Sequence, residues 1–304
     1  MDLNTQESRF VHTQAVLFQN LGLDIKSTFL HGGDPAKRVH VLHSGHGDPV
    51  LMIHGGNSVA AGWAPLIAQL DGEWDVYAPD RPGCGLTHRQ NYRGIKYRDH
   101  AIAFIGDVMD GLELQHATLM GNSVGGYWTL AYALAHPDRV DRLILIGEPA
   151  GSTRTLDPKV RILGTPIVNR LILSTIGRPH RDPKALRGLM ADPAKASGDV
   201  IDCFFAAASI PGAQVAWRTM LELITGLRKP NNLTYALIPQ LPTLQCPVLI
   251  AWGEHDMAPV TAGRELSRHI KKARFELIKD AGLIGWLDQP EAVGRLVRDF
   301  MNAN

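Results

Sequence analysis

The sequence predicts an α/β fold in which helices cover both faces of a mostly parallel β-sheet. Two observations predict it. Short, fully apolar segments alternate with helical segments through residues 27–146 and again through 248–301, and this alternation is typical of buried parallel strands joined by helices. Between about residues 150 and 240 the alternation stops, and a proline-rich stretch with helix-like pieces takes its place. We therefore expect a helical insertion in an otherwise regular α/β domain.

Composition agrees with a globular protein and excludes some partners. The chain has 304 residues, enough for one large domain with an insertion or for two small domains. Hydrophobic residues make up 45% and charged residues 20%, which allows a sizeable core. Because 31 basic residues balance 30 acidic ones, there is no electrostatic reason to expect nucleic acid or an anionic membrane as a partner.

The N-terminal residues, the length of the apolar runs and the cysteines predict where in the cell the protein is found. Residues 1–7 are polar and acidic, unlike the basic and then apolar start of a signal peptide. No run approaches the roughly 18 apolar residues that a membrane span needs. The three cysteines are odd in number and far apart, which suits a reducing compartment. The sequence predicts a soluble cytoplasmic protein; it leaves the oligomeric state open.

The first half of the chain gives the following elements, read from the apolar periodicity and from the turn residues that end each segment. An N-terminal helix at about 6–21 precedes a hairpin whose turn contains Gly32 to Pro35. The predicted strands are Ser27–Gly32, Lys37–His43, Val50–Ile53, Asp75–Ala78, Ala117–Met120 and Leu143–Ile146. The predicted helices are Trp63–Leu70, Tyr97–Leu114 and Tyr127–Ala135.

The insertion is predicted over residues 151–240 as a helical lid, and residues 1–150 and 241–304 form the core domain. It carries helix-like pieces at Val160–Ile176 and Cys203–Ser209. It is too apolar to be a disordered linker. After it, the alternation resumes with the segments Val248–Trp252, Thr261–Ile270, Phe275–Ile278 and Pro290–Met301, two strands each followed by a helix.

The most informative motif is Gly-Asn-Ser-Val-Gly-Gly at 121–126. It has the G-x-S-x-G form and lies between an apolar strand and a helix. In this context a sharp turn lifts the serine hydroxyl above the sheet as a nucleophile. Gly125 and Gly126 also have a packing explanation, since glycine lets a helix lie close to a sheet. The motif predicts a nucleophile elbow at Ser123.

A glycine-containing loop, His54-Gly55-Gly56-Asn57, follows the strand Val50–Ile53. Main-chain N–H groups in such a loop can bind an oxyanion together with the N–H of the residue after the nucleophile. We therefore predict Gly56 and Val124 as oxyanion-hole donors. A simple strand-to-helix turn is the alternative. His54 is interpreted as a hydrogen-bonded loop histidine rather than a proton-transfer group.

A third motif, Trp252-Gly253-Glu254-His255-Asp256, ends a late strand. Catalytic groups of open parallel sheets gather at the carboxyl ends of the strands. Asp256 is placed to accept a hydrogen bond from a histidine and to stabilise it when protonated. The alternative is a helix cap. His255 is interpreted as a surface neighbour.

Taken in order, these motifs resemble the α/β-hydrolase superfamily, in a form with a helical lid. Asp80-Arg81-Pro82-Gly83-Cys84-Gly85 and the pair Ala281-Gly282 followed by Gln289-Pro290-Glu291 complete the series, so the resemblance covers nearly the whole chain outside the lid. The Gly-Asn-Ser-x-Gly-Gly form is similar to that of hydrolases that cleave carbon–carbon bonds in ring-fission products. The resemblance implies a Ser123 nucleophile, an Asp256 acid, a small and largely apolar ester or ketone substrate, no cofactor and no metal.

The chain departs from the family at one position. Family members read Ala-Gly-His where this chain reads Ala281-Gly282-Leu283, and no histidine follows residue 269. Leucine has no nitrogen lone pair, so it can neither take the Ser123 proton nor protonate a leaving group. We expect a chain that is inactive or severely impaired, and an Asp256 that lacks its partner and has a raised pKa if buried.

Two explanations of Leu283 stay open at this point. It is either a substitution introduced to stop turnover and trap a substrate, or a natural variant that uses the pocket differently, as a binding protein or as a lyase. The functional hypothesis is accordingly a serine hydrolase scaffold. Its rival is a non-hydrolytic small-molecule binder or receptor on the same fold; an interaction module has no support in the composition.

Overall fold

The computed structural model describes residues 3–31, 37–70, 72–153, 162, 164–166, 168–170, 182–225 and 233–303. Its strands belong to one sheet. They are β1 (Lys26–His31), β2 (Arg38–Ser44), β3 (Pro49–Ile53), β4 (Asp75–Pro79), β5 (Ala117–Asn122), β6 (Val140–Ile146), β7 (Val248–Gly253) and β8 (Ala273–Ile278).

The described α-helices surround this sheet. They are α1 (Thr5–Asn20), α2 (Ala64–Ile67), α3 (Tyr97–Gly111), α4 (Val124–Ala135), α5 (Gly198–Ala208), α6 (Ala213–Thr225), α7 (Val260–Arg268), α8 (Gly285–Asp288) and α9 (Pro290–Met301). Short 3₁₀ turns occur at Ala60–Trp63, Pro137–Arg139, Pro183–Leu186, Pro193–Lys195 and Tyr235–Thr243.

The sheet order is β1-β2-β4-β3-β5-β6-β7-β8. β1, β2 and β4 pair antiparallel, and the strands from β4 through β8 pair parallel. Because β3 lies between β4 and β5, the chain reverses its winding direction after β4. In open α/β sheets, a crevice for ligands forms beyond the carboxyl ends of the strands at such a switch point.

Burial explains why the central strands lack an alternating pattern. Every residue of β5 and β7 is buried, and so are Val50 to Ile53 of β3. Helices cover both faces of these strands, so neither face needs polar residues. The α/β class and the mostly parallel sheet predicted from the sequence are confirmed.

Most predicted elements are present, with shifted ends. The helix after the serine begins at Val124 rather than Tyr127, because the turn at the elbow leads directly from β5 into α4. The helix predicted at Trp63–Leu70 is a 3₁₀ turn followed by the short α2, whose first turn contains proline. The hairpin turn and most of the predicted helix Val160–Ile176 lie outside the described residues.

Two helices of the 151–240 segment contact the rest of the protein in different places. α5 packs against α1, where Asn20 Nδ2 donates to Asp199 Oδ2 at 2.8 Å. α6 reaches the loop after β3 through Trp217. If Gly56 carried a Cβ atom, this atom would lie 2.4 Å from the Trp217 ring. In the described ranges no single helix is long and apolar enough to cross a membrane, and α5 and α6 meet that test only as a pair bent by 85°.

A substitution at Gly125 would test how closely α4 packs against the sheet. A Cβ at Gly125 would lie 2.0 Å from the Ile53 carbonyl oxygen. Gly125→Ala therefore has to push α4 away from β3, and we expect it to lower the free energy of unfolding by about 1–3 kcal/mol.

Gly198→Ala is the matched control, because a Cβ there meets nothing within 4 Å; it should be neutral or slightly stabilising. Urea unfolding monitored by circular dichroism measures both variants. Equal midpoints for the two variants would contradict the packing argument.

Candidate active site

Ser123 stands at the junction of β5 and α4 with φ 51° and ψ −117°. A positive φ is uncommon in non-glycine residues and typical of strained turns at functional sites. Close packing maintains it: a Cβ at Gly121 would lie 2.6 Å from both the Gly125 carbonyl oxygen and Thr129 Oγ1. The side chain of Ser123 is half-buried, as the elbow prediction requires.

Asn122 joins three segments beneath the serine. Its side-chain amide donates to the Ile146 carbonyl at 2.7 Å and to the Leu283 carbonyl at 2.8 Å. These bonds connect the end of β5 to the end of β6 and to the segment before α8. Asn122 thereby fixes the main chain at residue 283 relative to the elbow.

The two predicted oxyanion donors lie on different elements. Val124 is the first residue of α4, where main-chain N–H groups have no acceptor within the helix. Gly55, rather than Gly56, is the glycine next to the elbow, since a Cβ built on it would be 3.4 Å from Ser123 Cβ. Gly56 lies one residue further along, under Trp217. Its donor role stays a prediction.

Both ring nitrogens of His54 are already used. Its Nε2 accepts the Arg81 main-chain N–H at 2.9 Å, and its Nδ1 donates to the Gly55 carbonyl at 2.9 Å. Burial, with the charge of Arg81, lowers the pKa of His54 to about 3. A neutral imidazole with no free lone pair cannot serve as a base, and the interpretation of His54 as a hydrogen-bonded loop histidine is confirmed.

Asp256 follows β7, but no histidine of the described residues bonds to its carboxylate. The described groups that bond to it are main-chain N–H groups, those of Glu148 at 3.0 Å and Ala258 at 3.4 Å among them. It does not cap α7, whose N-cap is Pro259. Burial, reinforced by the charge of Glu148, raises the pKa of Asp256 to about 7. The predicted raised pKa is confirmed.

Glu148 is a second carboxyl group at this edge of the sheet. It follows β6 and accepts the N–H and the hydroxyl of Ser152 at 3.0 and 2.8 Å. Burial raises its pKa as well. The charge of Glu148 also contributes to the raised pKa of Asp256, because a nearby like charge disfavours ionisation.

Leu283 is buried, with 5% of its surface exposed. A Cβ added to Gly147 would lie 2.9 Å from the Leu283 Cδ1 atom and 2.3 Å from the Leu283 carbonyl oxygen. The leucine thus lies against the turn after β6, between Asn122 and the loop that carries Glu148. An apolar group fills this part of the site.

His255 is at the surface, as predicted. Its ring, Glu254 and Asp280 offer ligand atoms within 4.8 Å of one another, and all three residues are exposed. These are the described residues that could share a metal ion. Because exposed acidic groups cluster commonly without a metal, the cluster does not alter the prediction of a metal-free site.

A cleft lies between the loop after β4 and the helices α5 and α6. Arg81 lies in its wall with only 1% of its surface exposed, while the opposite wall is apolar. Ser123 does not line the cleft; Gly55 and Gly56 connect the two. The lining residues include Asn57, Val59, Arg81, Pro82, Cys84, Tyr92, Phe204, Ala207, Ala216, Trp217 and Met220.

A strained serine between a parallel strand and a helix, with an acid after a later strand of the same sheet, defines the class of α/β-hydrolases. Comparison with known proteins agrees. The family model described as alpha/beta hydrolase fold matches residues 48–163. The chain has the α/β-hydrolase fold and is similar to members of that superfamily.

Relatives include both of the hydrolase types suggested by the motifs. The 2-hydroxy-6-oxo-2,4-heptadienoate hydrolase of Pseudomonas putida is 27% identical over 93% of this chain and 99% of the relative. The carboxylesterase CesB of Bacillus subtilis superposes with a TM-score of 0.79 at 20% identity, over 99% and 100% of the two chains. The meta-cleavage product hydrolase CumD of Pseudomonas fluorescens superposes at 0.73 with 26% identity, over 93% and 99%.

Sequence reasoning missed Glu148, Arg81 and Trp217 as parts of the site. Glu148 directly follows a predicted strand, which is a signal that could have identified it. Arg81 belongs to a quoted motif, but only the structure reveals that it is buried. Trp217 gives no signal, because its contact with Gly56 depends on how α6 crosses the core.

The pKa of Asp256 predicts a pH dependence of stability. Because the pKa of Asp256 is about 7 in the folded state and 3.8 for a free aspartate side chain, the native state keeps a proton that the unfolded chain has released between these pH values. Stability from this group is therefore lost as the pH rises through that window. Asp256→Asn should remove much of this loss and stabilise the protein at pH 8 by on the order of 1 kcal/mol.

Thermal unfolding at pH 5 and pH 8 measures the effect, with Asp299→Asn on the exposed side of α9 as control. The same pH dependence in wild type and Asp256→Asn would exclude a raised pKa at this residue.

Proposed function

We propose that this protein binds a small, largely apolar ester or carbon–carbon (ketone) substrate at Ser123, and that Leu283 reduces its hydrolysis severely. In this proposal, Ser123 is the nucleophile, Gly56 and Val124 donate to the oxyanion, Asp256 is the acid, and residues 151–240 form a lid. The observation that carries the proposal is the pairing of a formed elbow with an Asp256 carboxylate that bonds to main-chain N–H groups instead of a histidine.

The loss of activity follows from elementary acid–base chemistry. The hydroxyl of Ser123 stays protonated near neutral pH unless a base accepts its proton in the transition state. Removing the histidine of a serine triad costs on the order of 10⁶ in turnover, while the oxyanion hole and binding retain roughly 10³–10⁴ over water. The described histidines nearest by motif are unsuited, since His54 has both nitrogens bonded and His255 is at the surface.

The cleft supports a ligand that is apolar but carries a carboxylate. The Arg81 guanidinium donates to the carbonyls of His54 and Gly55, its Nη1 reaches the weak acceptor Met220 Sδ at 3.7 Å, and its Cζ lies 5.1 Å from the centroid of the Trp128 ring. It makes no ion pair with a described carboxylate. A buried cation without a counter-ion is costly, so an anionic group on the ligand is favoured there. The dienoate named for the Pseudomonas putida relative has this combination of groups.

A non-hydrolytic binder or receptor, or a lyase that needs no activated serine, is the second candidate. Leu283 favours it, because a buried leucine in place of the base leaves the pocket and its cleft in place while removing proton transfer. Carboxyl groups with raised pKa values at Asp256 and Glu148 supply alternative proton carriers for such chemistry.

Restoring the histidine separates the two candidates. Leu283→His should raise the hydrolysis of p-nitrophenyl esters or of a vinylogous ring-fission diketone by about 10³-fold or more, because it returns a base beside Asp256. The gain should vanish in the double variant that also carries Ser123→Ala. Leu283→Gln, polar but not basic, is the matched control.

If neither wild type nor Leu283→His turns over these substrates while a ligand still binds tightly, the hydrolase proposal is wrong and the receptor stands. Calorimetry with the same diketone measures that binding.

Arg81 predicts a preference for anions. Wild type should bind 4-phenylbutyrate about tenfold more tightly than 4-phenylbutyramide, since a charge-assisted hydrogen bond is stronger than a neutral one. Arg81→Met should lose this preference, whereas Arg81→Lys should retain part of it. Calorimetry measures both ligands, and circular dichroism checks that each variant is folded. Equal affinities for acid and amide in wild type would refute the anion site.

A further inference from the structure

Ser27, His40 and Asp80 form a hydrogen-bonded chain outside the elbow site. Ser27 Oγ lies 2.8 Å from His40 Nε2, and His40 Nδ1 lies 2.7 Å from Asp80 Oδ2. Ser27 is on β1, which is four strand spacings from β5, or roughly 19 Å at the usual interstrand distance. This hydrogen-bonded group of residues is therefore separate from the Ser123 site.

The atoms are connected as in a serine-hydrolase triad. Triads are recognised by geometry and roles rather than by sequence order. The Asp80 carboxylate is held in place, because Oδ1 accepts the Ala60 N–H at 2.8 Å and Oδ2 accepts the Leu86 N–H at 3.0 Å. Facing an acceptor-only carboxylate, His40 Nδ1 carries the proton. The lone pair of Nε2 is thereby directed at the Ser27 hydroxyl.

The serine of this group is exposed and its histidine and aspartate are buried, as a reactive site requires. His40 and Asp80 are completely buried, and the ring of Phe29 lies 5.3 Å from that of His40. Ser27 is exposed on the edge strand. A reagent can reach the serine oxygen from solvent, whereas water is kept from the histidine and the carboxylate behind it.

We propose that Ser27 is a second nucleophilic serine, activated by His40, that takes an acyl or phosphonyl group from an electrophile such as an activated ester or a fluorophosphonate. Ser27 Oγ forms a bond to the carbonyl carbon or the phosphorus, and its proton passes to His40 Nε2. The alkoxide or fluoride leaves and takes that proton, so that His40 returns to its neutral form. The products are the O-modified serine and an alcohol or hydrogen fluoride.

Covalent labelling tests this site separately from the elbow. The full chain carrying Ser123→Ala is incubated with a fluorophosphonate probe, and the labelled residue is located by peptide mass spectrometry. We expect labelling at Ser27, and its loss when Ser27→Ala is added. Ser44→Ala is the matched control, because that hydroxyl on the same hairpin donates to the Asp24 carbonyl rather than to a histidine nitrogen; labelling should be unchanged.

His40→Asn tests the role of the base. An asparagine amide can still donate towards Asp80 but offers no second ring nitrogen to Ser27, so the labelling rate should fall at least about 10²-fold. Circular dichroism and the melting temperature establish whether the variant is folded. If it is not, the labelling rate is measured with Ser27→Thr instead, which crowds the same hydroxyl and should also label more slowly.

No label at Ser27 in the Ser123→Ala protein, or an undiminished rate in folded His40→Asn, would overturn the proposal and leave Ser27 as a structural partner of a buried histidine. Neither result affects the Leu283→His experiment, which concerns Ser123 alone.

Discussion

The approach of α4 to the end of β3 is the constraint on which the site depends. At Gly125 the helix backbone lies so close to the Ile53 carbonyl that no side chain fits between them. This contact holds the turn at Ser123 in a positive-φ conformation, and the same turn brings Gly55 beside the serine. Asn122 then attaches the elbow to the end of β6 and to residue 283. Strain at one residue is thus maintained by packing over three strands.

Two carboxyl groups and one buried cation lie around this fixed elbow. Asp256 and Glu148 stand on adjacent strand ends, and the raised pKa of each carboxyl group reflects burial. On the other side of the glycine loop, Arg81 is buried without a described carboxylate partner. The site therefore has two buried carboxyl groups at one side of the elbow and a buried cation on the other side of the glycine loop.

His40 and His54 illustrate how similar residues acquire opposite roles. Both histidines are buried; His40 lies within β2, and His54 directly follows β3. The second nitrogen of His54 accepts a main-chain N–H from Arg81, which leaves it chemically inert. The second nitrogen of His40 faces a serine hydroxyl, and a carboxylate fixes its other nitrogen. Polar groups in a core must be satisfied, but the identity of the partner decides whether the result is only structural.

The sequence by itself determined the element order, the strand–serine–helix context of Ser123, the place of Asp256 after a late strand and the leucine at position 283, because each of these rests on short-range patterns. The ends of α4 and the split helix near Trp63 were shifted, since packing rather than periodicity sets them. Only the tertiary structure decided that the Glu148 main-chain N–H donates to Asp256, that Trp217 covers Gly56, and that Ser27, His40 and Asp80 meet. These contacts join residues from different strands and helices, and their proximity depends on the order of strands in the sheet.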